Sequence, residues 1–347
     1  MFGPTPISYA PGQFQVLSGY HLSPVASAAR PGRLAGCMLP IGYNTAEAPR
    51  FALSNDAGLH WNVRAIPGIP ATTTCWLLAD TIRPDTFILH ARATLVTTDT
   101  GQHWRQLSAP CGNSIDPFAL VNGRLLAGIC SYGSDLSLSR LAITTLTPTG
   151  KQVNGAWVTV NTDSLDIAIG EHNALEGYAS DFQTITHIYA LVSTGAFGMT
   201  LYATTDGGAS WRTLRSWADV NRMALWTAAH GQVFVQDISD RGDSIAQFFY
   251  SRDSGATWQD SGLHERNGAY VFVSPQGKVI EDVEISGETG NLFQLNPSTG
   301  VFTLLTQISF ANAYGGGFTL TIVDDGSHST VIYADLSQTA VIPVALK

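Results

Sequence analysis

Charge is scarce in this chain. Asp, Glu, Lys and Arg make up 13% of its 347 residues, and three of the eighteen basic residues are lysine (Lys151, Lys278, Lys347). The formal net charge of −9 argues against nucleic acid or an anionic membrane as the main partner. No apolar run reaches 18 residues, so no transmembrane helix is expected. The N-terminus, Met1-Phe-Gly-Pro-Thr-Pro-Ile-Ser, lacks the charged and apolar regions of a signal peptide. Cysteine is sparse as well. Cys37, Cys75, Cys111 and Cys130 all fall in the first 130 residues. No C-x-x-C or accompanying histidine spacing occurs, so no metal and no other cofactor is expected. The four thiols allow three disulfide pairings or remain as buried free cysteines in strands. Helical periodicity is also rare. The segment Asp166–Phe182 is the one candidate for a short helix or long loop.

What the chain has in quantity is glycine, 34 residues, and short apolar runs, with 44% apolar residues overall. That composition suits many short strands and tight turns. One pattern, Ser/Thr-x-Asp-x-Gly-x-x-Trp, occurs four times. The copies are Ser54-Asn-Asp56-Ala-Gly58-Leu-His-Trp61, Thr97-Thr-Asp99-Thr-Gly101-Gln-His-Trp104, Thr204-Thr-Asp206-Gly-Gly208-Ala-Ser-Trp211 and Ser251-Arg-Asp253-Ser-Gly255-Ala-Thr-Trp258. Each stands between two strand-like runs, so each reads as a hairpin turn. The Asp accepts bonds from turn amides. The Gly supplies a positive φ. The Trp buries a large apolar surface where the next strand starts. A carboxylate needed four times over is structural rather than catalytic.

Asp56 and Asp99 are 43 residues apart, and Asp206 and Asp253 are 47 apart. Asp99 and Asp206 are 107 apart, which spans two periods. A worn copy, Thr147-Pro-Thr149-Gly150 followed by Trp157, fits between them. Another, Asn296-Pro-Ser298-Thr-Gly300-Val-Phe302, follows Trp258. With Phe14, seven aromatics open strands after turns: Phe14, Trp61, Trp104, Trp157, Trp211, Trp258 and Phe302.

The four turns resemble the Asp box, or BNR repeat, of sialidase-like β-propellers. The resemblance implies an all-β fold over 1–347 as one domain: a single seven-bladed propeller of four-stranded antiparallel blades. Six blades are the alternative. Three C-terminal runs (Phe318–Val323, Val331–Asp335, Val341–Leu346) are expected to complete the last blade with Phe14–Ser18, closing the ring and its sheet edges. The layout is closest to the photosystem II stability/assembly-factor-like propellers, which are largely non-catalytic.

In such propellers the boxes join the third and fourth strands on one face, and ligands bind the other. The longest connection on that other face is Asn161–Thr184. It carries Asp163, Asp166, Glu171, His172, Glu176, Tyr178 and Asp181. Shorter loops there add Tyr43, Glu47, Tyr132 and Asp135. Carboxylates and tyrosines of this kind hydrogen-bond or stack on a sugar, and two carboxylates could share acid/base work. A solvated acidic loop is the competing reading.

A sialidase of this type carries the first of its three substrate-binding arginines in Arg-Ile-Pro on the first inner strand. Here that stretch is Tyr20-His21-Leu22-Ser23-Pro24. Arg64-Ala-Ile-Pro67 follows a box, on an outer strand. No Tyr/Glu nucleophile pair is assignable from spacing. The expectation is therefore a monomeric, non-catalytic bacterial propeller, extracytoplasmic or secreted, that binds a glycan or protein partner. An exo-acting glycoside hydrolase or an assembly factor is the alternative.

Overall fold

The structure, a computed structural model, describes all residues except 1–19, 27–28, 31, 41–46, 57, 59, 72, 109–114, 122–123, 131–139, 154–157, 160–174, 181–183, 185, 195–197, 221, 239–246, 264–269, 275, 287–288, 310–318, 325–328, 335–338 and 343–347. Apart from one 3-10 turn, Ala229–Gly231, the described elements are strands in antiparallel sheets.

The first sheet contains β1 (Tyr20–Ala26), β2 (Leu34–Pro40), β3 (Arg50–Ser54) and β4 (Asn62–Ala65). The second contains β5 (Trp76–Ala79), β6 (Phe87–His90), β7 (Thr94–Thr97) and β8 (Arg105–Gln106). The third contains β9 (Ile115–Val121), β10 (Leu125–Cys130), β11 (Arg140–Thr145) and β12 (Val158–Thr159). The fourth contains β13 (Leu175–Ser180), β14 (Ile188–Ser193), β15 (Gly198–Thr204) and β16 (Arg212–Ala218). The fifth contains β17 (Met223–Ala228), β18 (Gln232–Asp237), β19 (Gln247–Ser251) and β20 (Gln259–Gly262). The sixth contains β21 (Tyr270–Val273), β22 (Val279–Ser286), β23 (Thr289–Asn296) and β24 (Val301–Ser309). The last holds three strands: β25 (Thr319–Asp324), β26 (Ser329–Ala334) and β27 (Thr339–Ile342).

Each sheet runs in chain order from an inner strand outward. The inner strands β1, β5, β9, β13, β17, β21 and β25 neighbour one another in that order, and β25 returns to β1. Pro24 and Pro117 stand on inner strands, each the edge of its own sheet, where a missing N–H removes no central ladder bond.

Burial follows the same radial order. β7 is buried at every position, whereas the two residues of β8 are both exposed. Middle strands are covered on both faces by neighbouring sheets, which is why they read as apolar runs rather than as alternation. The core is accordingly a series of layers between sheets. Phe51, Phe87 and Leu89 fill the first. Ile88, Val96 and Leu126 fill the next. Leu201, Trp217, Val235 and Phe249 fill the layer between the fourth and fifth sheets.

The expected ring of seven four-stranded blades, closed by a strand shared between the termini, is corrected, as is its six-bladed alternative. Six sheets have four strands and the last has three among the described residues. Phe14–Ser18 lies outside the described residues, as do residues 343–347. The seam between the last and first sheets is made by β1 lying against β25 and β26. The physical reason is the radial order: outer strands bury little, so the contact that joins neighbouring sheets comes from the inner and middle ones. A second correction concerns Asp166–Phe182. Its last part is neither helix nor loop but the inner strand β13.

Candidate functional site

The four Ser/Thr-x-Asp-x-Gly-x-x-Trp turns share one set of bonds. In the first, the Gly58 N–H donates to Ser54 Oγ at 2.8 Å, and that hydroxyl donates to Asp56 Oδ1 at 2.7 Å. The His60 N–H reaches Asp56 Oδ1 at 3.0 Å, and the His60 ring Nδ1 meets Oδ2 at 2.7 Å. Thr97, Asp99, Gly101 and His103 repeat this at 2.8, 2.9, 2.9 and 2.6 Å. In the third turn Ser210 Oγ takes the place of the imidazole, donating to Asp206 Oδ2 at 2.6 Å, and in the fourth Thr257 Oγ1 does so to Asp253 at 2.6 Å.

These bonds set the acidities. Burial alone would raise the Asp56 and Asp99 carboxyls. The amide and ring of His60 or His103, with the Ser54 or Thr97 hydroxyl, outweigh it and hold both below the usual range. Asp206 is lowered by Ser210 Oγ, then by Thr204 Oγ1 and the Ser210 amide. Asp253 is lowered first by Thr257 Oγ1. A carboxylate so committed is an ionised turn clamp and a poor proton donor.

Sequence reasoning assigned the Asp and the Gly their parts but missed the Ser/Thr hydroxyl, which links the two. Its signal was the hydroxyl residue that opens every copy. The residue four after each Asp (His60, His103, Ser210, Thr257) was missed for the same reason; all four can donate. The tryptophans are covered to different degrees. Trp61 is buried, but Trp104, Trp211 and Trp258 are half-buried. All three lie where outer strands begin, and Trp104 and Trp258 sit as wedges against the preceding sheet. The Trp104 ring meets Phe51 edge-on at 5.4 Å, and Trp258 meets Trp217 at 6.1 Å.

The turns also touch their neighbours through glycine. A Cβ on Gly101 (φ 80°) would lie 2.5 Å from the Phe51 ring, and one on Gly255 (φ 83°) would overlap Leu214. Outer-strand donors clamp the next turn. Arg64 Nη1, on β4, donates to the Thr100 carbonyl at 2.8 Å, and Ser261 Oγ donates to the Gly300 carbonyl at 2.6 Å. Arg64 thus serves the frame.

Of the ligand candidates expected on the opposite face, Asp163, Asp166, Glu171, His172, Asp181, Tyr43, Tyr132 and Asp135 lie outside the described residues. Glu176 and Tyr178 stand on β13, and Glu176 is the extra residue of a bulge, where Leu175 pairs with Val192 and Gly177 with Leu191. Glu47 is exposed and lies 3.7 Å from Arg50. The structure therefore brings none of these candidates together among the described residues. Cys37 and Cys75 form a disulfide that ties β2 to the chain entering β5. Among the described residues no three His, Cys, Asp or Glu side chains are grouped to hold a metal.

One cleft, of about 330 Å³, opens at the turn end between the second and third sheets. Val96, Thr98 and Asp99 line it, with His103, Trp104 and Arg105 from the same turn and Thr149 from the next sheet.

No family model and no curated protein matches the chain. Solved structures do. It is similar to YCF48 bound to a D1 peptide at 14% identity, over 96% of each chain, with a TM-score of 0.56. It is similar to a prolyl endopeptidase at 11% identity and a TM-score of 0.57, over 95% of this chain and 51% of that one. The chain thus spans about half the length of that enzyme. A Niastella koreensis GH74 enzyme matches at 13% identity over 93% of this chain and 62% of that one, with a TM-score of 0.39. The first two likenesses, with the radial sheet order, define the class of the protein: an all-β propeller.

Proposed function

We propose that this chain is a non-catalytic propeller of the Asp-box type that binds a protein or glycan partner on the face opposite its four turns. The observation that supports this most is the bonding of Asp56, Asp99, Asp206 and Asp253. Each accepts bonds from its own turn's hydroxyl, amide and side chain, so the chain's most repeated carboxylates serve the frame. That leaves the loops of the other face for recognition, as loops on a rigid scaffold commonly do. A peptide-bound propeller of the same fold is compatible with a protein ligand. The Cys37–Cys75 bond favours an oxidising, extracytoplasmic setting.

The test is a glycan array and a peptide array read beside a fluorogenic glycosidase panel. Binding without turnover is expected, weakened by Glu176→Gln or Tyr178→Phe and untouched by Asp253→Asn. Sialoside hydrolysis that is lost on mutating opposite-face residues would refute the reading.

A further inference from the structure

At two described boundaries between sheets, a glycine and an aromatic three residues later together fill the gap. Gly101 and Trp104 close on Phe51, and Gly255 and Trp258 close on Leu214 and Trp217. At the boundary between the second and third sheets the glycine is present but the aromatic is not in register. Gly150 (φ 72°) sits over Val96 and Thr98, with 3.1 and 3.3 Å to their side chains from an added Cβ. Three residues on stands Val153, which is 41% exposed. Trp157, the aromatic of this worn turn, lies outside the described residues. The cleft of about 330 Å³ opens beside this out-of-register turn.

Its lining mixes donors and acceptors around an indole. Asp99 accepts from Thr97 Oγ1, the His103 amide and His103 Nδ1, which leaves a carboxylate room for one further bond. The same contact fixes His103 with Nδ1 toward Asp99 and Nε2 outward. Arg105 is exposed and brings five N–H donors. Trp104 Nε1 is itself buried, with no hydrogen-bond partner among the described residues, so the indole ring and not its N–H faces the cleft. Thr149 adds a hydroxyl from the facing sheet. An anion would meet Asp99, and a cation would meet Arg105. A vicinal diol satisfies both, because each hydroxyl donates and accepts at once, and a sugar's C–H face covers the indole. The volume is at the small end of ligand pockets, about 300–1,000 Å³, enough for a terminal sugar and not for a long chain.

We infer that this cleft is a subsite for one neutral hexose unit, at the opposite end of the propeller from the face assigned to the main partner and independent of that assignment. The test is titration of 15N-labelled protein with methyl β-glucoside, methyl β-galactoside and methyl α-mannoside to about 50 mM, a range suited to the weak affinity of a single sugar. The readout is the Trp104 indole N–H signal, assigned with Trp104→Phe. A saturable shift with at least one glycoside is expected. Arg105→Ala should weaken it roughly tenfold, the loss expected for a bond to a charged donor. Thr149→Ala should weaken it less and provides a second folded variant. Silence with all three glycosides, a shift that Arg105→Ala leaves unchanged, or a shift produced by sodium acetate in place of the sugars would overturn the inference.

Discussion

Arg215 and Asp260 join two neighbouring sheets. The Arg215 guanidinium, on the outer strand β16, meets the Asp260 carboxylate of β20 through Nη1 at 2.9 Å and Nη2 at 3.3 Å. The same guanidinium lies 4.5 Å from the Phe249 ring centre and 5.4 Å from that of Trp217. One side chain therefore bonds across the boundary and covers the aromatic layer beneath it.

The rings should matter more than the ion pair. The Asp260 side chain is 63% exposed, so its charge is screened by water. Asp260→Ala is expected to cost under about 1 kcal/mol. Arg215→Ala should cost roughly 1–2 kcal/mol, because it also removes cation–π contact and the cover over Trp217. Urea unfolding of both variants and the double mutant checks this; equal losses from the two single changes would contradict it.

Glycine at the turns should be irreplaceable where a neighbouring sheet approaches. Gly101→Ala and Gly255→Ala each combine a left-handed φ with a collision, against Phe51 and Leu214. Each is expected to cost roughly 2–4 kcal/mol. Gly68 offers the control: its φ is 75°, but nothing lies within 4 Å of an added Cβ. Gly68→Ala should cost about 1 kcal/mol, the backbone strain alone. A Gly68 variant as unstable as the other two would remove the sheet-to-sheet argument.

The contrast between turn and neighbour also explains what was legible in the chain. Every bond that closes a turn lies within eight positions, from Ser54 to Trp61 for example. Hence the motif, the hairpins and the third-to-fourth-strand placement could be read directly. Phe51 and Gly101, or Arg215 and Asp260, are about as far apart as one repeat, and nothing local links them. The half-burial of Trp104 depends on where Phe51 stands in the preceding sheet. Glu176 and Tyr178 read as loop residues because an inner strand on a sheet edge has few pattern constraints. The cleft beside Thr149 was invisible because its walls come from two neighbouring sheets, Asp99 and Trp104 on one and Thr149 on the other.

The hydroxyl that opens each turn should be worth more than its size suggests. Ser251 Oγ accepts from the buried Gly255 amide at 2.8 Å and donates to Asp253 at 2.8 Å. Ser251→Ala leaves that amide without its acceptor, at a cost of about 1–3 kcal/mol. Ser251→Thr keeps the hydroxyl, as Thr97 and Thr204 do in their own turns, and should restore most of the loss. Thermal unfolding of the pair decides the point, and an alanine variant as stable as the parent would count against it.

Joining the first two sheets covalently should be visible on reduction. Cys37 and Cys75 are 38 residues apart and bonded. Closing a loop of that length restricts the unfolded chain by about 4 kcal/mol in the loop-entropy account. The Cys37→Ser/Cys75→Ser variant should melt several degrees lower, and dithiothreitol should lower the parent to match it. A parent insensitive to reductant, with both thiols free to alkylation after denaturation without reductant, would show that the bond does not form.

Asp80 should make stability depend on pH in the direction opposite to the turn aspartates. It is fully buried at the end of β5, where Oδ1 accepts from the Ile82 and Arg83 amides at 2.8 and 3.1 Å, and Oδ2 has no partner among the described residues. Burial pushes its carboxyl above the usual range, against the pull of those two amides and the Arg83 charge. A folded-state pKa above the unfolded one favours the fold while the group is protonated. That contribution is complete below the unfolded value and is lost as pH rises through the folded one. Asp80→Asn keeps the Oδ1 acceptor and removes the desolvated charge. The variant should therefore gain most in melting temperature at pH 7 and lose that advantage as the pH falls toward 4. The turn aspartates run the other way: their lowered carboxyls stabilise the fold at neutral pH and release it in acid, so Asp56→Asn should cost most at pH 7. Melting curves of both variants from pH 4 to 7 separate the two signs. An Asp80→Asn advantage that stays constant across that range would show that relief of buried charge is not its cause.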